Sequence, residues 1–256
     1  MDMAKGKTAL VLSAGGMFGA YQAGVWEALA GRFRPDVVIG TSVGALNGWA
    51  IAGGCEPAEL RRRWLDRQIS LRWRRTWNPV AGLVDEGLFD DCVENLYRAF
   101  QPMTEFGVVL TQLPALRQRV FRAGDITWKH LAIACSAPVV FRPRRIDGVL
   151  YTDGGLVNSL PLWAAASLGA QRVLAVNLLE QLPSAWLKVW RRVIRPAARR
   201  SMESVGIEVL TIAARAPLGS MYHMFQWEYQ NISDWLEQGK RDGAAAIPDL
   251  ERWLSQ

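Results

Sequence analysis

The stretch Gly40-Thr41-Ser42-Val43-Gly44 follows the apolar run 37–39 and precedes the largely apolar segment 45–52. A strand that turns sharply into a helix is the context of a nucleophile elbow, which lifts a serine hydroxyl clear of the sheet. Small residues on both sides of Ser42 allow the backbone to make that bend. A serine that merely caps the helix in an ordinary strand-to-helix turn is the alternative interpretation.

The composition is that of an ordinary globular chain, with 256 residues of which 50% are hydrophobic and 21% charged. One α/β domain of this length can bury a sizeable core. No apolar stretch reaches the roughly 18 residues needed to span a bilayer. The cysteines are Cys55, Cys92 and Cys135, an odd number without metal-ligand spacing, so neither zinc nor a disulfide framework is indicated. We expect a single domain, residues 1–256, in a reducing, cytoplasmic setting.

Strand and helix patterns alternate along most of the chain. Strand patterns occupy 8–13, 36–39, 107–111, 117–122 and 172–178. Helical patterns occupy 19–30, 43–53, 57–100, 128–136 and 160–168, and the pattern 57–100 is broken near Asn78-Pro79 and Gly82. This alternation predicts a three-layer α/β sandwich with a mostly parallel central sheet flanked by helices. Asp147-Gly148 lies between two short alternating segments and predicts a hairpin with a type I′ turn. From Pro183 to the end, 183–256, the pattern is helical.

A second glycine-rich turn, Ser13-Ala14-Gly15-Gly16-Met17-Phe18-Gly19, also joins a strand pattern to a helical one. Glycines there allow backbone N–H groups to approach an anion at a helix N-terminus. A dinucleotide cradle would need an acid at the far end of the second strand, but Asp36 lies at its start. Nucleotide binding is therefore the least favoured interpretation, beside a simple tight turn and an oxyanion hole.

The elbow favours the oxyanion hole. In a parallel sheet the carboxyl ends of neighbouring strands open on the same edge, so this loop and Ser42 can meet. Each oxyanion donor is typically worth about 3 kcal/mol of transition-state stabilisation. The candidate donors are the backbone N–H groups of Gly15, Gly16, Met17 and Val43.

A serine nucleophile needs a base, and the chain has only two histidines. His130 lies in a helical pattern in which it is expected to pack or cap. His223 would complete the order Ser42, Asp153, His223 of an α/β-hydrolase triad, but no turn or glycine around it marks a catalytic loop. A carboxylate is therefore the favoured base.

Asp153 is the best candidate for that carboxylate. It follows the strand pattern 149–152 and precedes Gly154 and Gly155, which leave it uncrowded at a strand end. A free aspartate is too weak a base for a serine hydroxyl, so Asp153 has to be desolvated and hydrogen-bonded to Ser42. An ordinary Asp-Gly-Gly turn is the alternative, and the hairpin turn already accounts for Asp147.

Three motifs together resemble the patatin-like phospholipases in type, order and spacing. They are the elbow 40–44, the glycine loop 14–19 and Asp153-Gly154-Gly155. Further similarity lies at 136–141, 155–161 and 172–177, so it covers about 7–177, with a weaker trace at 232–243. Members of that family are lipid acyl hydrolases with a Ser–Asp dyad and no catalytic histidine. The resemblance implies Ser42 as nucleophile, Asp153 as base and a lipid ester as substrate, with no metal or cofactor.

Two residues depart from the family pattern. Ala14 stands where the loop has its first glycine, and Phe18 where many members carry Arg or Lys. Because the oxyanion hole is made of backbone, we expect catalysis to survive both changes. The missing basic residue removes a direct phosphate contact at the loop, which leaves the head group of the substrate open.

The net charge of +6 is concentrated in two segments. Seven arginines and one aspartate lie in 61–75, and six basic residues without an acid lie in 182–200, so the rest of the chain is acidic. On a helical wheel, 183–196 separates an apolar arc from a basic side, as in helices that lie on anionic bilayers. A solvated basic face on a packed surface helix is the alternative. The tryptophans predicted to contact a membrane surface are Trp64, Trp73, Trp77, Trp186 and Trp190.

We therefore expect a cytoplasmic serine acyl hydrolase that associates with the membrane surface. The basic segments match no nucleic-acid-binding motif, so nucleic acid is not expected as a partner. An acyltransferase that uses the same acyl-serine, and a catalytically idle lipid-binding protein, are the alternative functions.

Overall fold

A computed structural model describes residues 6–68, 86–138, 140–181 and 206–256. Its centre is an eight-stranded sheet. The strands are β1 (Thr8–Leu12), β2 (Val37–Gly40), β3 (Glu105–Gln112), β4 (Arg117–Arg122), β5 (Arg144–Ile146), β6 (Val149–Asp153), β7 (Arg172–Asn177) and β8 (Glu208–Ala213).

The sheet is mixed and mostly parallel, as predicted. Its order is β5-β6-β3-β2-β1-β7-β8, and β4 pairs with β3 off this path. β3, β2, β1, β7 and β8 run parallel to one another. β4 and β6 each pair antiparallel with β3, and β5 pairs antiparallel with β6.

The helices cover both faces of the sheet. They are α1 (Gly19–Leu29), α2 (Val43–Ala52), α3 (Pro57–Leu65), α4 (Glu86–Ala99), α5 (Trp128–Ala134), α6 (Leu162–Ser167), α7 (Met221–Met224), α8 (Tyr229–Ala245) and α9 (Ile247–Ser255). Within the described ranges, none of them is both long and apolar enough to cross a bilayer.

Alternate residues of the central strands enter two separate cores, because successive strand side chains point to opposite faces. Leu10 and Val38 belong to the larger core, which they share with α1, α2, α5 and α8. Ala9 and Val37 belong to the smaller one, which α6 covers through Ala164 and its neighbours. Both faces of the sheet are thus buried, which confirms the predicted three-layer sandwich.

One edge of β3 is shared by two strands. Gly40 of β2 pairs with Val108, and Asp153 of β6 pairs with Leu110 further along β3. β4 pairs with residues 107–112 of β3, which overlap both of these pairings, so β4 occupies the opposite edge. β6 therefore continues beyond the point where β2 ends, which brings the end of β6 close to the start of the turn after β2.

The predicted hairpin is confirmed. β5 and β6 pair antiparallel around Asp147 and Gly148, whose φ angles of 48° and 79° are both positive. Two positive φ angles are the signature of the type I′ turn, whose twist matches that of the flanking strands.

The helical pattern predicted for 183–256 is wrong at one segment. Glu208–Ala213 forms β8, an edge strand parallel to β7. Val209, Thr211 and Ile212 are β-branched and fit a half-buried pleated surface better than a helix. The amphipathic segment 183–196 and the predicted break near Asn78 lie outside the described residues.

The helices α1 and α8 approach each other through glycines. A Cβ atom at Gly239 would overlap the carbonyl oxygen of Tyr21, and one at Gly24 would overlap the carbonyl oxygen of Leu236. Since both obstacles are backbone atoms, they cannot rotate away. The spacing of this helix pair therefore depends on glycine at both positions.

Replacing Gly239 by alanine should lower the melting temperature by roughly 2–12 °C, because the added methyl group forces α8 away from α1. Overpacking of this kind costs about 1–3 kcal/mol, and each kcal/mol shifts the melting temperature of a domain of this size by about 2–4 °C. Thermal unfolding followed by circular dichroism measures the shift. Gly31→Ala is the matched control, since no heavy atom lies within 4 Å of a Cβ there. Equal melting temperatures for the two variants would contradict the close helix contact.

Candidate active site

Ser42 lies at the sharp turn between β2 and α2. Its backbone has φ 56° and ψ −131°, a conformation that a residue with a side chain rarely adopts. Hydrogen bonds hold the turn, from the Thr41 N–H to the Leu12 oxygen (3.2 Å) and from the Gly44 N–H to the Thr41 oxygen (3.0 Å). The strained serine and its tight turn are the geometry expected of a nucleophile elbow.

The glycines of the elbow are required by lack of space. A Cβ at Gly44 would overlap the carbonyl oxygen of Leu12 at the end of β1. A Cβ at Gly40 would overlap the carbonyl oxygen of Gly44 itself. The turn therefore brings α2 into backbone contact with the neighbouring strand, which explains why glycine flanks Ser42 at both ends.

Asp153 is the last residue of β6, next to the elbow. Its N–H donates to the Ser136 oxygen (3.3 Å), and its Oδ1 accepts from the Gly155 N–H (2.7 Å). A Cβ at Gly154 would overlap the carbonyl oxygen of Val109, so the turn after Asp153 lies tightly on β3. Asp153 is 4% exposed and Ser42 7% exposed. The Ser42 hydroxyl interacts with the Asp153 carboxyl, so the structure brings the two predicted catalytic residues together in a buried setting.

Burial raises the pKa of Asp153 from its ordinary range to about 7. The Ser42 hydroxyl and the Gly155 N–H interact with the carboxylate and partly oppose this rise. A carboxyl with a pKa near neutrality is a far better proton acceptor than a solvated aspartate. The environment therefore supplies what a carboxylate base for a serine requires.

The glycine loop contacts both of the other motifs. Gly16 begins a short 3-10 turn, Gly16–Phe18, with a left-handed φ of 55°. A Cβ at Gly19 would overlap Cγ2 of Val43, and one at Gly155 would lie 2.7 Å from Cβ of Ala14. The elbow, the glycine loop and the Asp153 turn thus meet at one edge of the sheet.

Several backbone N–H groups at this junction lack an acceptor. Within the described part of the chain, the N–H groups of Gly15, Gly16, Met17 and Val43 make no hydrogen bond. By contrast, the N–H of Ala14 donates to the Ser159 oxygen (2.9 Å). The four predicted oxyanion donors therefore remain available for a ligand oxygen.

The structure accounts for the two departures from the family pattern. Ala14 is buried against Gly155. Phe18 is 1% exposed, and its ring meets that of Trp235 edge-on, with 4.9 Å between ring centroids. Position 18 is thus part of the hydrophobic core, which explains why an apolar residue is accommodated there.

The two histidines cap helices. His130 is buried, and its Nδ1 accepts from the Thr127 N–H at 3.1 Å, as predicted for a packing or capping residue. The Nδ1 of His223 accepts from the Ser220 N–H at 3.2 Å in the same way. These caps account for both side chains.

Cys135 is a residue of the site that sequence reasoning missed. It follows α5, and its thiol lies beside the Ser42 hydroxyl and the Asp153 carboxyl. Burial raises the pKa of the Cys135 thiol well above its usual value, and the negative charge of Asp153 raises it further. Cys135 therefore contributes a neutral thiol to the wall of the site. In the sequence it is one of three widely spaced cysteines, and nothing near it indicates a place in the site.

The prediction of membrane contact needs correction at Trp64. Its indole Nε1 donates to Oδ1 of Asn47 (2.9 Å), and its ring lies against Gly19. The side chain therefore points toward the glycine loop rather than outward. The other predicted tryptophans, at positions 73, 77, 186 and 190, lie outside the described residues.

Among described residues, no group of three or more His, Cys, Asp or Glu side chains could hold a metal ion.

Comparison with known proteins establishes the family. The patatin-like phospholipase model matches residues 10–166, which is more than half of the chain, so the chain belongs to that family. Patatin-like phospholipase domain-containing protein 7 of Rattus norvegicus is 27% identical over 207 residues, covering 72% of this chain and 15% of that protein. Lysophospholipase NTE1 of Mycosarcoma maydis is 28% identical over 179 residues, covering 66% and 9%. The chain thus spans only a small part of these relatives.

A solved structure supports the fold. VipD from Legionella pneumophila superposes with a TM-score of 0.55 at 12% sequence identity, covering 96% of this chain and 67% of VipD. At this identity the likeness concerns the architecture alone. It agrees with the α/β sandwich described above.

Asp153→Asn should raise the free energy of unfolding by a few kcal/mol at pH 8, and this gain should nearly vanish at pH 4. The folded pKa of about 7 lies above the value of about 3.9 for an unfolded aspartate. The neutral carboxyl therefore contributes its full stability below about pH 4, and this contribution is lost as the pH rises through 7. Asparagine stays neutral throughout. Denaturant unfolding at both pH values measures the difference.

Asp147→Asn is the control for that measurement. Asp147 is exposed in the hairpin turn, and surface changes of this kind usually alter stability by less than about 0.5 kcal/mol. A stabilisation by Asp153→Asn that is equal at pH 4 and pH 8 would contradict the raised pKa.

Proposed function

We propose that this chain is a lipid acyl hydrolase in which Ser42 is the nucleophile and Asp153 the base. One observation carries the proposal: a strained, buried serine lies beside a buried carboxyl whose pKa is about 7. Four free backbone N–H groups adjoin that pair. A nucleophile, a matched base and an anion-binding group of donors are the parts of an acyl-transfer site.

Acylation begins when Oγ of Ser42 attacks the ester carbonyl carbon and its proton passes to the Asp153 carboxylate. The carbonyl oxygen becomes an oxyanion, which the N–H groups of the glycine loop and of Val43 stabilise. The tetrahedral intermediate then collapses, the carbon–oxygen bond to the alcohol breaks, and the departing alkoxide takes the proton from Asp153. An acyl-Ser42 ester and a free alcohol result.

Deacylation repeats these steps with water. Asp153 accepts a proton from the water molecule as its oxygen attacks the acyl carbon, and the oxyanion forms again in the same place. Collapse breaks the bond to Ser42 Oγ, which regains the proton from Asp153. A carboxylic acid leaves, and the site returns to its starting state using only side chains, backbone and water.

A lipid ester is the substrate class that family membership supports. The relatives are named as phospholipase-domain and lysophospholipase proteins. Position 18 offers an inward phenyl ring in place of a cation. The glycine loop therefore supplies backbone donors without a side-chain charge for a phosphate.

The surface next to the site suits contact with a lipid aggregate. The backbone of Met224 lies against Gly16, so α7 covers the glycine loop. On its outer side α7 exposes Met221 and Tyr222, the latter to 57%. Exposed aromatic and methionine side chains beside a lipid site favour an interfacial position. We therefore propose peripheral contact with a lipid surface, as expected from the basic segments.

Ser42→Ala and Asp153→Asn should each reduce hydrolysis by about 10³-fold or more, because nucleophile and base act as a unit. The measurement is release of fatty acid from a panel of phospholipid, lysophospholipid and neutral glyceride substrates. A fluorophosphonate probe should label the parent and leave Ser42→Ala unlabelled. Hydrolysis that survives in Ser42→Ala would overturn the proposed mechanism.

His223→Gln is the matched control, since glutamine can keep the helix cap but cannot act as an imidazole base. Its activity should stay within a few-fold of the parent. A His223→Gln variant that folds but is inactive would show that the site uses a Ser–Asp–His triad instead of the proposed dyad.

The two alternative functions give different results. An acyltransferase would transfer the acyl group from Ser42 to an added alcohol or thiol faster than to water. An idle lipid-binding protein would bind liposomes, show no turnover and be unaffected in binding by Ser42→Ala. Acceptor-trapping assays and liposome sedimentation on parent and Ser42→Ala protein separate these cases.

The pH dependence of kcat/KM should report the base. Asp153 has to be deprotonated to accept the Ser42 proton, so log kcat/KM should rise with unit slope at low pH and level off above an apparent pKa of about 7. Initial rates with a soluble short-chain ester between pH 5 and 9 measure this profile. A plateau reached already at pH 5 would contradict Asp153 as the titrating base.

A further inference from the structure

A buried polar network lies between the elbow helix and the glycine loop. Its centre is Asn47 in α2, which is 2% exposed, and Gln22 in α1, which is fully buried. Nδ2 of Asn47 donates to the Gly19 oxygen (2.9 Å) and to Oε1 of Gln22 (3.0 Å). Nε2 of Gln22 donates to the Ser13 oxygen (2.8 Å), and Nε1 of Trp64 donates to Oδ1 of Asn47 (2.9 Å).

The partners fix the orientation of both amides. An indole nitrogen can only donate, so the atom of Asn47 that faces Trp64 has to be the oxygen. A backbone carbonyl can only accept, so the atom of Gln22 that faces Ser13 has to be the nitrogen. Each amide group is therefore held in one orientation, as expected of a fully connected buried network.

The two backbone carbonyls in this network are the ends of the glycine loop. Ser13 is the residue after β1, and Gly19 is the first residue of α1. Between them lie the candidate oxyanion donors Gly15, Gly16 and Met17, whose N–H groups have no partner in the described chain. The network thus holds the loop at both ends and leaves its middle free.

The same helix carries both the elbow and the centre of the network. Val43 and Asn47 are four residues apart in α2, so they lie on one face of the helix. Val43 is in contact with Gly19, and Asn47 binds the Gly19 oxygen. Any movement of the glycine loop away from the elbow would break a hydrogen bond to a buried amide, which costs about 1–3 kcal/mol.

We propose that Asn47, supported by Gln22 and Trp64, is a positioning residue that fixes the oxyanion-hole donors of the glycine loop relative to Ser42. The role rests on the proposed acyl-hydrolase function of this site. Asn47 acts through the backbone of Gly19 and touches no reacting atom. Its effect is on the transition state, because the oxyanion forms only after attack.

Replacing Asn47 by leucine keeps the branched shape of the side chain and removes all three hydrogen bonds. We expect kcat to fall about 10- to 100-fold with KM within about twofold, since displacing a donor by about 1 Å can cost 10²-fold in rate. Steady-state kinetics with a soluble ester measures the two constants. A rise in KM with unchanged kcat, or a loss that only matches the unfolded fraction, would overturn the role of Asn47.

A thionoester substrate provides a second measurement, the preference for ester over thionoester, which a purely structural role of Asn47 would leave unchanged. Sulfur accepts hydrogen bonds poorly, so a thionoester gains little from oxyanion donors. The preference for ester over thionoester should therefore fall in Asn47→Leu relative to the parent. An unchanged ratio together with a lower kcat would contradict action through the oxyanion hole.

Trp64→Phe keeps the proposal testable if Asn47→Leu fails to fold. It keeps an aromatic ring but removes the N–H that binds Asn47 together with the part of the indole that lies against Gly19, and we expect kcat to fall about 3- to 10-fold. Trp49→Phe is the matched control, because the Trp49 indole also makes one hydrogen bond from α2, to the Phe100 oxygen (2.9 Å), away from the loop. Trp49→Phe should lose at least as much stability, because Trp49 is 1% exposed and Trp64 only partly buried, and only Trp64→Phe should lose kcat. Equal kcat in both would overturn the proposal.

The outcomes for the two proposals are distinct. A parent protein that neither turns over esters nor reacts with a fluorophosphonate would overturn the proposed function and this role with it. A parent that turns over esters, beside an Asn47→Leu variant with unchanged kcat, would overturn the role of Asn47 alone.

Discussion

The site depends on one contact between two stretches of backbone. The end of β1 passes so close to the start of α2 that Gly44 has no room for a side chain beside the carbonyl oxygen of Leu12. β1 lies between β2 and β7, so its position is fixed from both sides. The elbow therefore bends against a fixed strand, and the left-handed backbone of Ser42 is the result. The glycine loop starts where β1 ends, which is why its N–H groups adjoin the same serine.

Burial gives this edge of the sheet its chemistry. An aspartate in water would be ionised at neutral pH and would accept protons poorly. Enclosed beside Ser42, the Asp153 carboxyl is displaced into the range where proton transfer is useful, at the expense of folding stability. The Cys135 thiol next to it is kept neutral by the same enclosure. Burial thus raises the pKa of both acidic groups beside Ser42, which suits Asp153 to its proposed role as base.

The sequence predicted the parts of the fold and site that depend on local pattern. The elbow, the hairpin turn at Asp147 and the parallel sheet follow from glycine positions, turn dipeptides and apolar runs. The choice of Asp153 as candidate base came from its place between a strand pattern and two glycines. In each case neighbours in sequence carry the signal, because the constraint acts within a few residues.

The features that were missed depend on contacts between distant segments. Asn47 and Gln22 are ordinary helical residues until α1 and α2 pack, so their mutual hydrogen bond left no local trace. Trp64 belongs to a basic segment that resembles a surface helix, yet its indole reaches inward to Asn47. β8 was obscured because an edge strand is short and only half covered.

Because β2 and β6 pair with the same edge of β3, this strand determines how far apart their ends lie. Gly40 pairs with Val108 and Asp153 with Leu110, so the strands that carry the proposed nucleophile and the proposed base are aligned two residues apart along β3. At about 3.3 Å per residue, this offset amounts to about 7 Å. β3 contributes no reacting group. A one-residue insertion or deletion between Val108 and Leu110 would nevertheless change the distance between the ends of β2 and β6 and would turn the side chains of one strand to the opposite face of the sheet. The side chains of β3 are buried in the two cores, so this strand packs the domain through its side chains and aligns the site through its backbone.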